Sequence, residues 1–130
     1  MKTIAVVGCS PREDRASHAV ASYLKAVGYR VIPVNPGYDS ILGEKCYPNL
    51  TAIPEKVEVV DIFRRAEHVF PIVREAIKIG ARAVWMQDGV THTLAAEEAR
   101  AAGLKVVMDD CLMRQHHRWM GPFRKTITSC

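Results

Sequence analysis

The sequence predicts an α/β domain built on one doubly wound parallel sheet of about five strands, with helices on both faces. Three observations carry that expectation. The chain opens on an apolar run, Thr3-Ile4-Ala5-Val6-Val7, closed by Gly8-Cys9-Ser10-Pro11, and such a run suits a strand buried on both faces. The segment from Ser17 to Gly28 then places Ala19, Val20, Tyr23, Leu24 and Val27 at helical spacing, with Gly28 as its stop. Finally, one phrase recurs: Val27-Gly28-Tyr29, Ile79-Gly80-Ala81 and Ala102-Gly103-Leu104. Each reads as a glycine leaving a helix in the left-handed conformation just before a strand.

The remaining elements follow in order. Tyr29 to Pro36 reads as a second strand closed by a proline turn, and residues 37–54 as a long connection rich in Gly, Pro and Asn. Val57 to Phe63 is strand-like, residues 66–80 are helical, and Ala81 to Met86 form a fourth strand. Thr91 to Ala102 is a helix and Leu104 to Met108 a fifth strand. Residues 111–130 read as a short C-terminal helix, broken at Gly121-Pro122, and a tail. The whole, residues 1–130, is one domain. Right-handed crossovers then give a strand order of 3-2-1-4-5, counting the five strands along the chain. In such sheets ligands bind beyond the carboxyl ends of the strands, where the order reverses. Here those ends are Gly8-Cys9-Ser10, Asn35-Pro36, Phe63-Arg64-Arg65 and Gln87-Asp88-Gly89.

Bulk properties narrow the function. At 130 residues, 48% hydrophobic and 25% charged, the chain has the make-up of an ordinary soluble domain. The net charge of +4 is not gathered into a Lys/Arg run, so nucleic acid is not expected as a partner, whereas a small polyanion suits it. No apolar stretch approaches the ~20 residues that cross a bilayer, and Met1-Lys2 leads straight into a core strand, so the protein is expected off the membrane and in the cytoplasm. Cys9, Cys46, Cys111 and Cys130 lie far apart without a C-x-x-C and are expected as reduced thiols.

Two nucleotide-binding classes fail on the first turn. A dinucleotide fingerprint needs G-x-G-x-x-G and an acid at the end of the second strand. This chain has Gly8 but then Ser10 and Glu13, and the second strand ends at Asn35. No G-x-x-x-x-G-K-[ST] loop occurs either. What remains is a polar loop, residues 9–18, bearing Ser10, Arg12, Arg15, Ser17 and His18 at a helix start. Backbone N–H groups and the helix dipole hold phosphates there, and arginine forks and hydroxyls assist. Against that stands a plain solvated loop, with Ser17 as a helix cap. Arg64-Arg65 beside Phe63 is more telling, because it falls at a strand's carboxyl end.

Four phrases then become specific together: Val6-Val7-Gly8-Cys9-Ser10-Pro11, the run from Gly28 to Pro36, Val60-Asp61-Ile62-Phe63-Arg64-Arg65, and Val84-Trp85-Met86-Gln87-Asp88-Gly89-Val90. From residue 3 to about Cys111 the chain resembles the small stand-alone CoA-binding proteins, relatives of the CoA-binding domain of the succinyl-CoA synthetase alpha subunit. The resemblance implies a Rossmann-like fold with coenzyme A, or an acyl-CoA, across the strand ends. It implies that Gly8, Ser10, Arg12, Arg15 and Ser17 face the phosphates. Asn35, Pro36, Phe63, Arg64, Arg65 and Gln87 would flank the adenosine and the pantetheine arm. Asp88 departs from the proline expected in that family and sets a negative charge near a polyanion.

No constellation for catalysis or metal emerges. The adjacent His116 and His117 cannot share one helical face, a lone Cys111 beside them is a common accident, and Asp109-Asp110 ends a strand. Cys9 is the one thiol placed to meet a bound thiol cofactor, in a setting where a helix start and nearby arginines favour thiolate. Turn packing is its plainer role. The expectation is a CoA binder without a catalytic centre of its own. The alternatives are an enzyme or enzyme subunit handling acyl-CoA, and a binder of another phosphorylated nucleotide.

Overall fold

The structure, a computed structural model, describes residues 3–119, and of 117–119 only the backbone. The expectations for the tail after Trp119 lie outside the described residues. The elements run β1 (Thr3–Val7), α1 (Ala16–Ala26), β2 (Arg30–Val34), a two-stranded hairpin of β3 (Ser40–Ile41) and β4 (Glu44–Lys45), and a 3-10 turn at Leu50–Ala52. β5 (Val59–Ile62), a 3-10 turn at Ala66–His68, α2 (Val69–Lys78), β6 (Ala83–Met86), α3 (Thr93–Ala101), β7 (Lys105–Val107) and α4 (Leu112–Trp119) complete them. The fold class stands: β2-β1-β5-β6-β7 form one parallel sheet.

Alternation along the strands sorts the core into two layers, since successive side chains point to opposite faces. Ala5, Val7, Ile32, Val34, Val60, Ile62, Val84 and Met86 face α2 and α3, where Val69, Val73, Ala76, Ala95, Ala96 and Ala99 meet them. Ile4, Val6, Val31 and Trp85 face the other way, onto Val20, Ala21 and Leu24 of α1 and Leu112 and Met113 of α4. Small alanines on α3 let that helix lie close to the sheet. Gly28, Gly80 and Gly103 leave their helices at φ 103°, 78° and 91°, as the repeated phrase predicts.

The order within the sheet needs correcting. Counted along the main strands it is 2-1-3-4-5, not 3-2-1-4-5, because the third, β5, pairs with β1 and not with β2. The cause lies in the long connection after β2. Tyr47 bridges Val34 in parallel, its N–H donating to the Pro33 carbonyl and its carbonyl accepting from the Asn35 N–H. That short strand-like contact occupies the edge of β2 where a third strand would pair. β5 therefore lies on the far side of β1, and the reversal falls between β1 and β5.

Gly8 makes that junction possible. It sits at φ 84°, and a Cβ built on it would lie 2.5 Å from the Phe63 carbonyl oxygen and 2.9 Å from Arg64 Cδ. The Gly8 N–H donates to the Val34 carbonyl, while the Phe63 N–H donates to the Val7 carbonyl, so three strand ends are stitched at one turn. Gly8→Ala therefore meets backbone as well as unfavourable φ, and is expected to destabilise by more than ~1–2 kcal/mol. Gly28→Ala has open space around it and is expected to lose only the conformational part, ~1 kcal/mol. Paired denaturant melts check the difference, and equal losses would contradict the close approach.

Candidate functional site

Among the described residues the buried polar side chains are Ser17, Asp61 and Gln87, and all lie at or just beneath the carboxyl edge of the sheet. Their clustering marks the site, because a core tolerates polar groups only where they find partners or serve a purpose. An open cleft of about 290 Å³ lies above them, lined by Gly8, Arg15, Ala16, Ser17, Phe63, Arg64, Arg65 and the run Gln87 to Val90.

The loop from Gly8 to Arg15 is built by short polar bonds. Ser17 Oγ accepts from the Ser10 N–H at 3.0 Å, and Ser10 Oγ from the Arg12 N–H at 3.1 Å. Ser17 is thus not the cap of α1. The helix begins at Ala16 with Arg15 in the extended cap position, no side chain bonds its first turn and no acid lies in it. The hydroxyl instead reaches back and folds the loop over the helix start. An uncapped first turn, rimmed by Arg15 and facing a cleft, has the geometry that attracts an anion.

The predicted residues divide by role. Arg64 is half-buried, makes no hydrogen bond or ion pair among the described residues, and lies at the wall of two cavities. One is the main cleft. The other, about 120 Å³, is lined by Val7, Val34, Pro36, Pro48, Asn49, Leu50, Ile72 and Glu75 besides Arg64. Arg65 borders the cleft but is splayed outward, its side chain 87% exposed and 3.9 Å from Glu67. Arg12 is not brought to the cleft: it forks onto Asp14 at 3.1 and 2.8 Å on the exposed surface. Asn35 acts as a brace, its Nδ2 donating to the Cys9 carbonyl and its Oδ1 accepting from the Gly37 N–H, both at 3.0 Å.

Asp88 does not present a bare charge, as its place in the sequence suggested. Arg114 of α4 holds it with two bonds of 3.0 and 2.8 Å and also contacts Asp110 at 2.9 Å. Those bonds hold the Asp88 carboxyl below the usual range. The next loop repeats the bracing: the Gly89 N–H donates to Asp109 Oδ1, and Trp85 Nε1 to the Asp110 carbonyl. Asp109-Asp110 thus scaffolds the end of β6. His116 takes a 2.7 Å bond with the Tyr23 hydroxyl and packs edge-on to Tyr23 and Tyr29, tying α4 to α1.

Cys9 is corrected most sharply. It is fully buried, and burial first, then Cys46 and Asp61, push its thiol up to about 12. Desolvation outweighs the helix start, so Cys9 packs the turn as a neutral thiol. Cys46 is free as well, whereas Cys111 is disulfide-bonded and not a reduced thiol. Among the described residues no group of three or more His, Cys, Asp or Glu could hold a metal ion. No described helix is long and apolar enough to cross a membrane.

Two residues were not picked from the sequence. Arg114 lies in the C-terminal segment, where no local motif sets it apart. Asp61 interrupts the apolar run of β5 and accepts a hydrogen bond from Gln87 Nε2. Burial pushes its carboxyl up to about 8, against which the Gln87 bond pulls down. The signal available was a lone acid inside a buried strand.

Residues 2–117 match the CoA binding domain family, and the chain belongs to it. An uncharacterized protein of Bacillus subtilis, YneT, is 37% identical over 115 residues, spanning 88% of this chain and 85% of its own. A solved hypothetical protein from Pyrococcus horikoshii OT3 is 45% identical with a TM-score of 0.89, over 91% of this chain and 83% of that one. The ADP-forming acetate–CoA ligase I of Archaeoglobus fulgidus is 31% identical over 121 residues, which are 85% of this chain but 18% of the ligase.

The buried acid has a consequence for stability. Folded Asp61 keeps its proton to about pH 8, whereas the unfolded chain releases it near 3.8. The folded state therefore binds more protons in that window, and stability falls as pH rises through it, levelling above about 8. The slope is bounded by about 1.4 kcal/mol per pH unit. Denaturant melts across the window should show the decline in the wild type and a shallower one in Asp61→Asn. Parallel profiles would contradict the assignment.

Proposed function

We propose that this protein binds coenzyme A or an acyl-CoA at the carboxyl edge of the sheet and has no catalytic centre of its own. The uncapped start of α1, rimmed by Arg15 and facing Arg64 across the cleft, carries this reading. The pyrophosphate lies at the N–H groups of Ala16 and Ser17, within reach of the Ser10 turn and the Arg64 guanidinium. Arg64 borders both cavities, so an elongated ligand extends from one to the other past Gly8, with Pro36 at one end and Gln87 at the other. That length suits CoA, whose phosphates lie between an adenosine and a pantetheine arm. The missing dinucleotide glycines and Walker lysine speak against NAD and ATP. The protein acts in the cytoplasm on a small molecule, not on nucleic acid or a membrane.

A second reading has one observation in its favour: the ligase that this chain resembles is about five times its length, at 18% coverage. The chain would then be a CoA-carrying subunit whose chemistry a partner supplies. The chain alone, given acetyl-CoA, ADP and phosphate, is expected to form no ATP. Turnover would overturn the non-catalytic reading.

The ligand test is a thermal-shift panel with CoA, acetyl-CoA, NAD, FAD, ATP and AMP. CoA or acetyl-CoA is expected to stabilise most, by about 2.7 kcal/mol at a hundredfold excess over Kd. No shift at millimolar CoA would refute the reading. The two arginines should separate. Arg64→Ala is expected to weaken CoA by ~1.5–3 kcal/mol, the range of a charge-assisted bond. Arg65→Ala, exposed and facing Glu67, is expected to lose under ~1 kcal/mol. Titration calorimetry of each variant reads this, and an inverted ranking would move the phosphates away from Arg64.

A further inference from the structure

Asp61 has a position that phosphate binding alone does not explain. It lies on β5, the middle strand of the sheet, and is wholly enclosed. Its Oδ1 accepts from Gln87 Nε2, while its Oδ2 has no partner among the described residues. The register sets it beside Val6 of β1 and Trp85 of β6, on the layer covered by α1 and α4. From β1's end Cys9 faces it as a neutral thiol, with Cys46 acting on Cys9 in turn. The helices contribute Val20, Ala21, Leu24, Leu112 and Met113 to this layer, and among the described residues Asp61 forms no ion pair. Above it, the cleft is bordered by Arg15, Arg64, Arg65 and Asp88, the last already matched by Arg114. Ionised, Asp61 would set an uncompensated negative charge beneath a site for a polyanion.

We infer that Asp61 makes ligand binding at this cleft proton-linked: CoA binds best to the protein with Asp61 neutral, and its arrival draws a proton from solvent onto Oδ2. The inference rests on the CoA reading above and adds its regulation. Gln87 connects the two, because Asp61 holds its amide nitrogen and Gln87 is also among the residues that line the cleft. Low polarity around the acid leaves little to screen it from the ligand's charge. Linkage is reciprocal: whatever the proton adds to CoA binding, CoA adds to proton binding. The carboxyl already titrates at about 8 without ligand, so the coupling acts close to neutral pH.

Titration calorimetry of CoA in two buffers of different ionisation enthalpy, run near that pH, counts the protons taken up. The wild type is expected to take up a fraction of a proton, and Asp61→Asn less by that fraction, the variant correcting for protons carried by CoA itself. Wild-type affinity is expected to fall above about pH 8, by at most about tenfold per pH unit, while the variant stays flat. Carbon-13 NMR of the Asp61 carboxyl in the unmodified protein gives a readout that needs no variant, and its titration should move upward when CoA is added. Equal proton uptake in both proteins, or an Asp61 titration unmoved by CoA, would overturn the linkage while leaving CoA binding intact. Absence of CoA binding in the wild type at any pH would remove the ligand reading and the linkage with it.

Discussion

The close approach at Gly8 is the constraint on which the site depends. Without a side chain there, the Phe63 carbonyl and the Arg64 stem can lie against the end of β1, and three strand ends meet at one turn. That contact sets where α1 begins, because the loop from Ser10 folds back on Ser17 and leaves the helix start uncapped. It also sets Arg64 across from that start. A helix end that binds no side chain of its own, opposite an arginine that no carboxylate pairs with among the described residues, is a site defined by what its neighbours leave unsatisfied.

The surrounding polar contacts serve to keep that arrangement still. Asn35 pins the Cys9 carbonyl, Arg114 holds Asp88, and Asp109 and Asp110 hold Gly89 and Trp85. Each brace comes from a neighbouring loop or from α4, and together they frame the first turn of α1, which is left open to the cleft. The Tyr23–His116 bond links α4 to the same helix whose start faces the cleft.

Much of this was legible in the sequence where a physical rule acts locally. Apolar runs, helical spacing and the three exit glycines locate the elements, because each depends on neighbours a few residues away. The strand order did not follow, since what excludes β5 from β2 is Tyr47 pairing with Val34, a contact that no local pattern announces. The site divides in the same way. Arg64 and Gln87 could be picked from their place at strand ends. Arg12 could not be told from Arg64 by composition, and only the structure turns it onto Asp14. Asp88 looked like a loose negative charge until Arg114 arrived from 26 residues away. Cys9 looked activated by its helix start, yet burial decides its chemistry. Asp61 was visible as a lone acid in a buried strand, but its meaning needed Gln87.

The measurement that bears most directly on the account is a crystal structure of the protein grown with CoA. The pyrophosphate is expected on the N–H groups of Ala16 and Ser17, with the Arg64 guanidinium against it and the ligand passing Gly8 between the two cavities. CoA seated elsewhere, as on the opposite layer between α1 and α4, or seated with Arg64 turned away, would contradict it.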